Sequence, residues 1–124
     1  MYRNIAITGL FLTAATIAIG AFGAHGLKNL VDTDAVATFE TGVRYQMYHA
    51  LAIVLLGYVP GPNRLKRVVF LFFIIGIIFF SGSIYLLSLN NILPFDATKI
   101  GFITPIGGLF FITGWIRWGY GLFL

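Results

Sequence analysis

The chain has 124 residues, of which 59% are hydrophobic and only 10% charged, against about 25% charged in a typical soluble domain. The charges are bunched, leaving uncharged stretches of 24, 19, 28 and 17 residues at 4–27, 45–63, 68–95 and 100–116. Such a chain cannot cover itself with polar side chains, which excludes a water-soluble enzyme, a nucleic-acid module and a disordered tail. The net charge of +4 is then a membrane-topology signal, not a nucleic-acid footprint.

A bilayer core about 30 Å thick takes about 20 apolar residues of helix. Four spans of that order fill the chain, at about 5–24, 41–60, 67–89 and 99–120. The expected fold is all-α: one integral membrane domain over 1–124, a four-helix transmembrane bundle with an amphipathic extension before the second span. The absence of Cys excludes disulfides and thiolate metal sites.

The first element starts behind Arg3 and is rich in Gly and Ala. Arg3 with Ala21 and Gly23 imitates a signal peptide, but the apolar stretch outruns the usual core of about 7–15 residues, so the segment is expected to be retained as a span. Ala14 with Ala18, and Gly20 with Ala24, are small-xxx-small pairs that let a neighbouring helix approach. The run Gly20-Ala-Phe-Gly-Ala-His-Gly26 imitates a phosphate loop, but no strand precedes it and no Lys-Ser/Thr follows. It reads as the outer end of the helix, with Gly26 as C-cap.

The second element is expected as one helix over 34–59, N-capped by Asp34, with Val36, Phe39, Val43 and Met47 as an apolar stripe at helical spacing. Glu40 and Arg44 stand four apart in the favourable order for an ion pair. Pro60-Gly-Pro-Asn63 is a turn, followed by the basic cluster Arg64, Lys66 and Arg67. The third element is the most apolar, interrupted by Ser81-Gly-Ser83 and ended by Asn90 and Asn91. In the fourth, Pro105 removes a backbone hydrogen bond and predicts a kink, with Thr104 satisfying the freed carbonyl. Gly107 and Gly108 offer another close-packing face.

With four spans, Arg3, Arg64, Lys66, Arg67 and Arg117 share one side, and Lys28, Arg44 and Lys99 share the other. The bias places both termini in the cytoplasm. Tyr2, Tyr58, Trp115, Trp118 and Tyr120 then form an aromatic belt at the cytoplasmic headgroups.

Four stretches of the chain form an ordered set: Gly20-Ala-Phe-Gly-Ala-His-Gly-Leu27, Phe39-Glu-Thr-Gly-Val-Arg-Tyr-Gln-Met-Tyr-His-Ala-Leu51, Phe80-Ser-Gly-Ser-Ile-Tyr85 and Ile103-Thr-Pro-Ile-Gly-Gly-Leu109. Together they resemble the small four-helix membrane proteins classed as domain of unknown function 423, a group to which human transmembrane protein 256 is similar. The resemblance implies an integral membrane protein, in bacteria one of the cytoplasmic membrane. It implies no catalytic residue and no cofactor.

The four spans bring polar residues to the outer half of the bundle: His25 from the first; Glu40, Arg44, Tyr45, Gln46 and His49 from the second; Ser81, Ser83 and Tyr85 from the third; Thr104 from the fourth. At 1.5 Å per residue His49 lies about 17 Å from the turn at Pro60, near mid-bilayer, where an ionisable group must face the bundle interior. Its expected partner is Ser81, Tyr85 or Thr104. The cluster reads either as a packing network of interhelical hydrogen bonds or as a ligand pocket or proton path. Arg44 can serve the headgroup-level ion pair or bind a lipid phosphate. The two His stand 24 residues apart without Cys, which argues against a metal site. Three classes of function stay open: a non-catalytic accessory subunit or assembly factor, a small transporter or channel using the outer polar pocket, and an intramembrane enzyme. The reading leans to the first, with membrane lipid, other membrane subunits or a second copy as partners, and no nucleic acid.

Overall fold

The structure is a computed structural model that describes residues 1–123. Helix α1 spans Arg3–Ala24, α2 Thr33–Tyr58, α3 Asn63–Gly76, α4 Ser83–Ser88 and α5 Ile103–Phe123. A π turn, Ile77–Gly82, joins α3 to α4 without a break, so these three pieces form one rod. Short 3-10 turns at Leu27–Asn29, Asn90–Ile92 and Ala97–Ile100 occupy the connections. Four long rods result.

Rods 3–29, 63–88 and 97–123 are long and apolar enough to cross a membrane. Helix α2 has the length, at 26 residues, but Asp34, Glu40, Arg44, Gln46 and His49 lower its hydropathy.

Several terminal details differ from the sequence expectations. Asp32, not Asp34, is the N-cap of α2. It sits in extended conformation and its carboxylate accepts the Ala35 N–H at 2.8 Å. Asp34 falls in the first turn, where its charge meets the positive end of the helix dipole. Gly26 is not a left-handed cap, since its φ is −68°. The cap is His25, whose N–H is shared by the carbonyls of Ala21 and Phe22 at 3.2 Å. The glycine that does need its conformational freedom is Gly61, at φ +149° between Pro60 and Pro62. Pro105 is the third residue of α5. Its missing N–H is one of the first four, which lack an intrahelical acceptor in any helix, so it removes no hydrogen bond from within α5.

The rods pack through small residues at alternating spacings of four and three. On α1 the inward seam is Gly9, Thr13, Thr16, Gly20 and Gly23, whereas Ala14 and Ala18 face outward. On α5 it is Gly107, Phe111, Gly114, Trp118 and Gly121. A Cβ on Gly9 would stand 2.6 Å from the Val54 nitrogen, and one on Gly57 2.6 Å from the Ala6 nitrogen. Helices α1 and α2 thus touch backbone to backbone at two levels, sealed at the end by Tyr2 N–H donating to the Gly57 carbonyl at 2.7 Å. Gly107 makes the same approach to the backbone of Phe79 and Phe80 in the π turn. In lipid, where apolar burial does not drive helices together, such close dispersion contact does. Phe11, Ile17, Leu55, Leu71, Ile78, Ile112 and Ile116 point outward and are well exposed, giving the surface its apolar belt.

The beginning of α1 meets the end of α2, and Gly121 of α5 meets Leu65 of α3. The N-terminus, the α2–α3 turn and the end of α5 therefore share one end of the bundle.

Candidate functional site: a hydrogen-bonded polar core

Helix α2 is the hub. Gln46, 4% exposed, donates from Nε2 to Thr16 Oγ1 of α1 at 2.7 Å and accepts at Oε1 from the Tyr85 hydroxyl of α4 at 2.6 Å. Thr16 passes its own proton back to the Leu12 carbonyl at 2.7 Å, which leaves its oxygen free to accept. One turn before Gln46, the fully buried Ser81 of the π turn donates to the Gly42 carbonyl at 2.8 Å. Gly42 permits this approach because a Cβ there would stand 2.8 Å from the Tyr85 ring.

The start of α4 is joined to α5 by a second link. Ser83 donates to the Phe80 carbonyl at 3.0 Å and lies 2.5 Å from Thr104 Oγ1. Since the Ser83 proton is used on Phe80, Thr104 is the donor of the pair. Thr104 therefore ties α5 to α4 and does not serve a carbonyl freed by Pro105.

His49, also 4% exposed, faces the interior, but its partner is none of Ser81, Tyr85 and Thr104. Trp115 of α5 donates its indole N–H to His49 Nε2 at 3.0 Å, while Nδ1 lies 2.7 Å from the Tyr45 carbonyl. An indole N–H can only donate and a carbonyl can only accept. Both contacts are satisfied together by the neutral imidazole carrying its proton on Nδ1. The ring stacks on Phe111 with centroids 3.6 Å apart and planes 9° apart, and meets Phe73 edge-on at 5.1 Å. Trp115 is thus drawn from the headgroup belt into the core contact, with part of its ring still exposed.

The remaining expected members stand apart. His25 is exposed at the end of α1, and Glu40, Arg44 and the Tyr45 ring are exposed on α2. Arg44 donates to Thr41 Oγ1 at 3.2 Å, and no Glu40–Arg44 ion pair forms among the described residues. Lys66, of the basic cluster with Arg64 and Arg67, is 3% exposed, and its Cε lies close to Gly61 of the turn. Thr16 and Trp115 complete the core and were absent from the expected cluster.

Among the described residues no buried side-chain nitrogen or oxygen lacks a hydrogen-bond partner, and no three His, Cys, Asp or Glu side chains group as metal ligands. The polar core links all the long rods, and each of its buried side-chain nitrogens and oxygens has at least one partner within the chain.

The family profile described as a protein of unknown function (DUF423) matches residues 19–108. A UPF0382 membrane protein of Staphylococcus haemolyticus is 40% identical over 112 residues, covering 89% of this chain and 87% of its own. UPF0382 membrane proteins of Haemophilus influenzae and Bacillus subtilis are 38% and 37% identical, over 96% and 89% of this chain and 90% and 88% of theirs. No solved structure matches.

Proposed function

We propose that this chain, which belongs to the DUF423 family of proteins of unknown function, acts in the membrane as a non-catalytic accessory subunit or small assembly factor. All four rods cross the bilayer, α2 among them, with both termini on the cytoplasmic side of a bacterial cytoplasmic membrane. Support for the crossing of α2 comes from its polar side chains. Gln46 and His49 are turned inward onto partners, so its outward face, with Tyr48, Leu51 and Leu55, is compatible with lipid.

The observation that carries the functional reading is the internal satisfaction of the polar core. A binding or transport site keeps donors or acceptors for its ligand. Here Thr16, Gln46, Tyr85, Ser81, Ser83, Thr104 and His49 each engage another group of the same chain. The core then chooses register and pairing of the helices, as interhelical hydrogen bonds in membranes do at about 0.6 kcal/mol each on average. What the rigid bundle offers to the cell is its surface, to other membrane subunits or to a second copy.

Mild-detergent extraction followed by mass determination of the particle tests this. A heteromeric complex with fixed stoichiometry is expected. A homo-oligomer with a water-lined axis would sink the accessory reading and favour a small transporter. That second reading draws on the π turn at Ile77–Gly82, a feature frequent at functional sites.

A further inference from the structure

The acidic side chains are confined to one end of the bundle, where Lys28, Arg44 and Lys99 accompany them. Asp32, Asp34 and Glu40 lie in or before the first turns of α2, and Asp96 lies in the α4–α5 connection. All four acids of the chain are therefore at one end. The opposite end carries Arg3, Arg64, Lys66, Arg67 and Arg117, with no acidic side chain to answer them.

At that basic end a groove of about 270 Å³ opens between α1 and α3, lined by Tyr2, Asn4, Ile5, Thr8, Arg67, Phe70 and Leu71. Its lining is graded. Tyr2 is the N-cap of α1, and Asn4 and Arg67 stand within the first two turns of their helices, at headgroup depth. Phe70 and Leu71 lie one turn deeper on α3, along the path an acyl chain would take. A guanidinium presents paired donors to a phosphate, Asn4 and Tyr2 line the same groove as Arg67, and the Leu71 face is open to lipid at 56% exposure.

We propose that this groove holds one anionic phospholipid, its phosphodiester against Arg67 and one acyl chain along Phe70 and Leu71. The inference rests on membrane residence and on charge complementarity, and is independent of the accessory-subunit reading. The groove differs from a merely basic surface in its shape. Arg64 and Arg117 line a separate groove with Pro62, Leu65 and Gly121, which provides an internal control.

The test is native mass spectrometry of the full chain released from micelles, titrated with palmitoyl-oleoyl phosphatidylglycerol or the matching phosphatidylcholine. One phosphatidylglycerol is expected to be retained at about fivefold lower concentration than phosphatidylcholine, the order of effect of one cation at an anionic membrane surface. Arg67→Gln should abolish that preference, whereas Arg64→Gln, with the same loss of charge, should leave it. Leu71→Trp fills the groove while keeping the Arg67 charge and should also lose the retained lipid. Circular dichroism confirms that each variant keeps its helices. Equal losses in Arg67→Gln and Arg64→Gln would reduce the effect to diffuse attraction and overturn the site, as would equal retention of the two lipids. Retention of glycerol phosphate without acyl chains would overturn the lipid assignment.

Discussion

Trp115 and His49 are 66 residues apart in sequence, yet the indole N–H of one meets Nε2 of the other at 3.0 Å. This single bond, with the ring stacked on Phe111, joins α5 to α2 across the bundle. It also selects the His49 tautomer, because the Tyr45 carbonyl behind the ring needs the Nδ1 proton.

The pair should behave as a coupled unit. Trp115→Phe leaves Nε2 without its donor and is expected to destabilise the bundle by about 1 kcal/mol, within the range of one membrane hydrogen bond. His49→Leu alone leaves the indole N–H unpaired, at similar cost. The double variant removes both polar groups and should cost less than the sum of the singles, since replacing both partners by apolar groups can be nearly neutral. Unfolding of all four proteins in one detergent closes the cycle. Strict additivity would show that the bond contributes nothing. A His49→Leu protein that folds normally but loses a cellular activity would point to a role beyond packing.

Gln46 is expected to be the most sensitive polar position, because it serves two helices at once. Gln46→Glu keeps an acceptor for Tyr85 but loses the donor to Thr16, and it brings an acid into the core. Gln46→Leu loses both bonds but buries no charge. The expected order of stability is Gln46, then Leu, then Glu, with roughly 1–3 kcal/mol lost in the last. Thermal unfolding in a fixed detergent at neutral pH reads the order. A Glu variant as stable as Leu would mean that the acid is protonated, its O–H replacing the amide donor to Thr16, or that water reaches the site.

The helical architecture was legible because run length and charge spacing are enough to define four rods, three of them apolar enough to cross a membrane. So were Gln46, Ser81, Ser83, Tyr85 and Thr104, polar residues that interrupt apolar runs and so need partners inside. Other features depend on which face a residue turns to, and a spacing of four does not decide that. Ala14 with Ala18 fits the small-xxx-small pattern as well as the true seam through Gly9, Thr16 and Gly23, and only the neighbouring helix distinguishes them. Thr16 is hidden in an Ala-rich helix because its proton returns to its own backbone. Trp115 reads as a headgroup anchor near a helix end, and nothing local signals that its N–H reaches inward. Asp32 and Asp34 are equally good caps by residue type, and the extended backbone at Asp32 decides between them. The π turn has a trace in Ser81-Gly82-Ser83, but an interruption of that kind does not specify i→i+5 geometry.

The glycines offer a sharp contrast within one residue type. Gly57→Ala places a methyl against the Ala6 backbone, where a Cβ would be 2.6 Å from nitrogen. Neither helix can yield without separating, so a loss of about 1–3 kcal/mol is expected, as for overpacked cores. Gly119→Ala meets nothing within 4 Å and relieves a helix interior of its glycine, worth up to about 1 kcal/mol. The two substitutions should move the thermal midpoint in opposite directions in the same detergent. A destabilising Gly119→Ala would indicate that another molecule packs on that face.

Topology is the last test, and it separates the number of crossings from their direction. The N-terminus, the α2–α3 turn and the end of α5 share one end of the bundle, and that end holds five of the eight Lys and Arg. Cations in short loops are held back on the cytoplasmic side during insertion. A reporter fused after Leu124 should therefore behave as cytoplasmic, and one inserted within 28–32 as external. If both reporters fall on the same side, α2 does not cross and the bundle has only the three spans that its apolar rods supply. If the two are exchanged, four crossings stand and the charge bias has been overruled by some other feature, for which Lys66 is the first place to look. Its burial removes it from the loop surface where a topology signal acts, leaving four such cations against three.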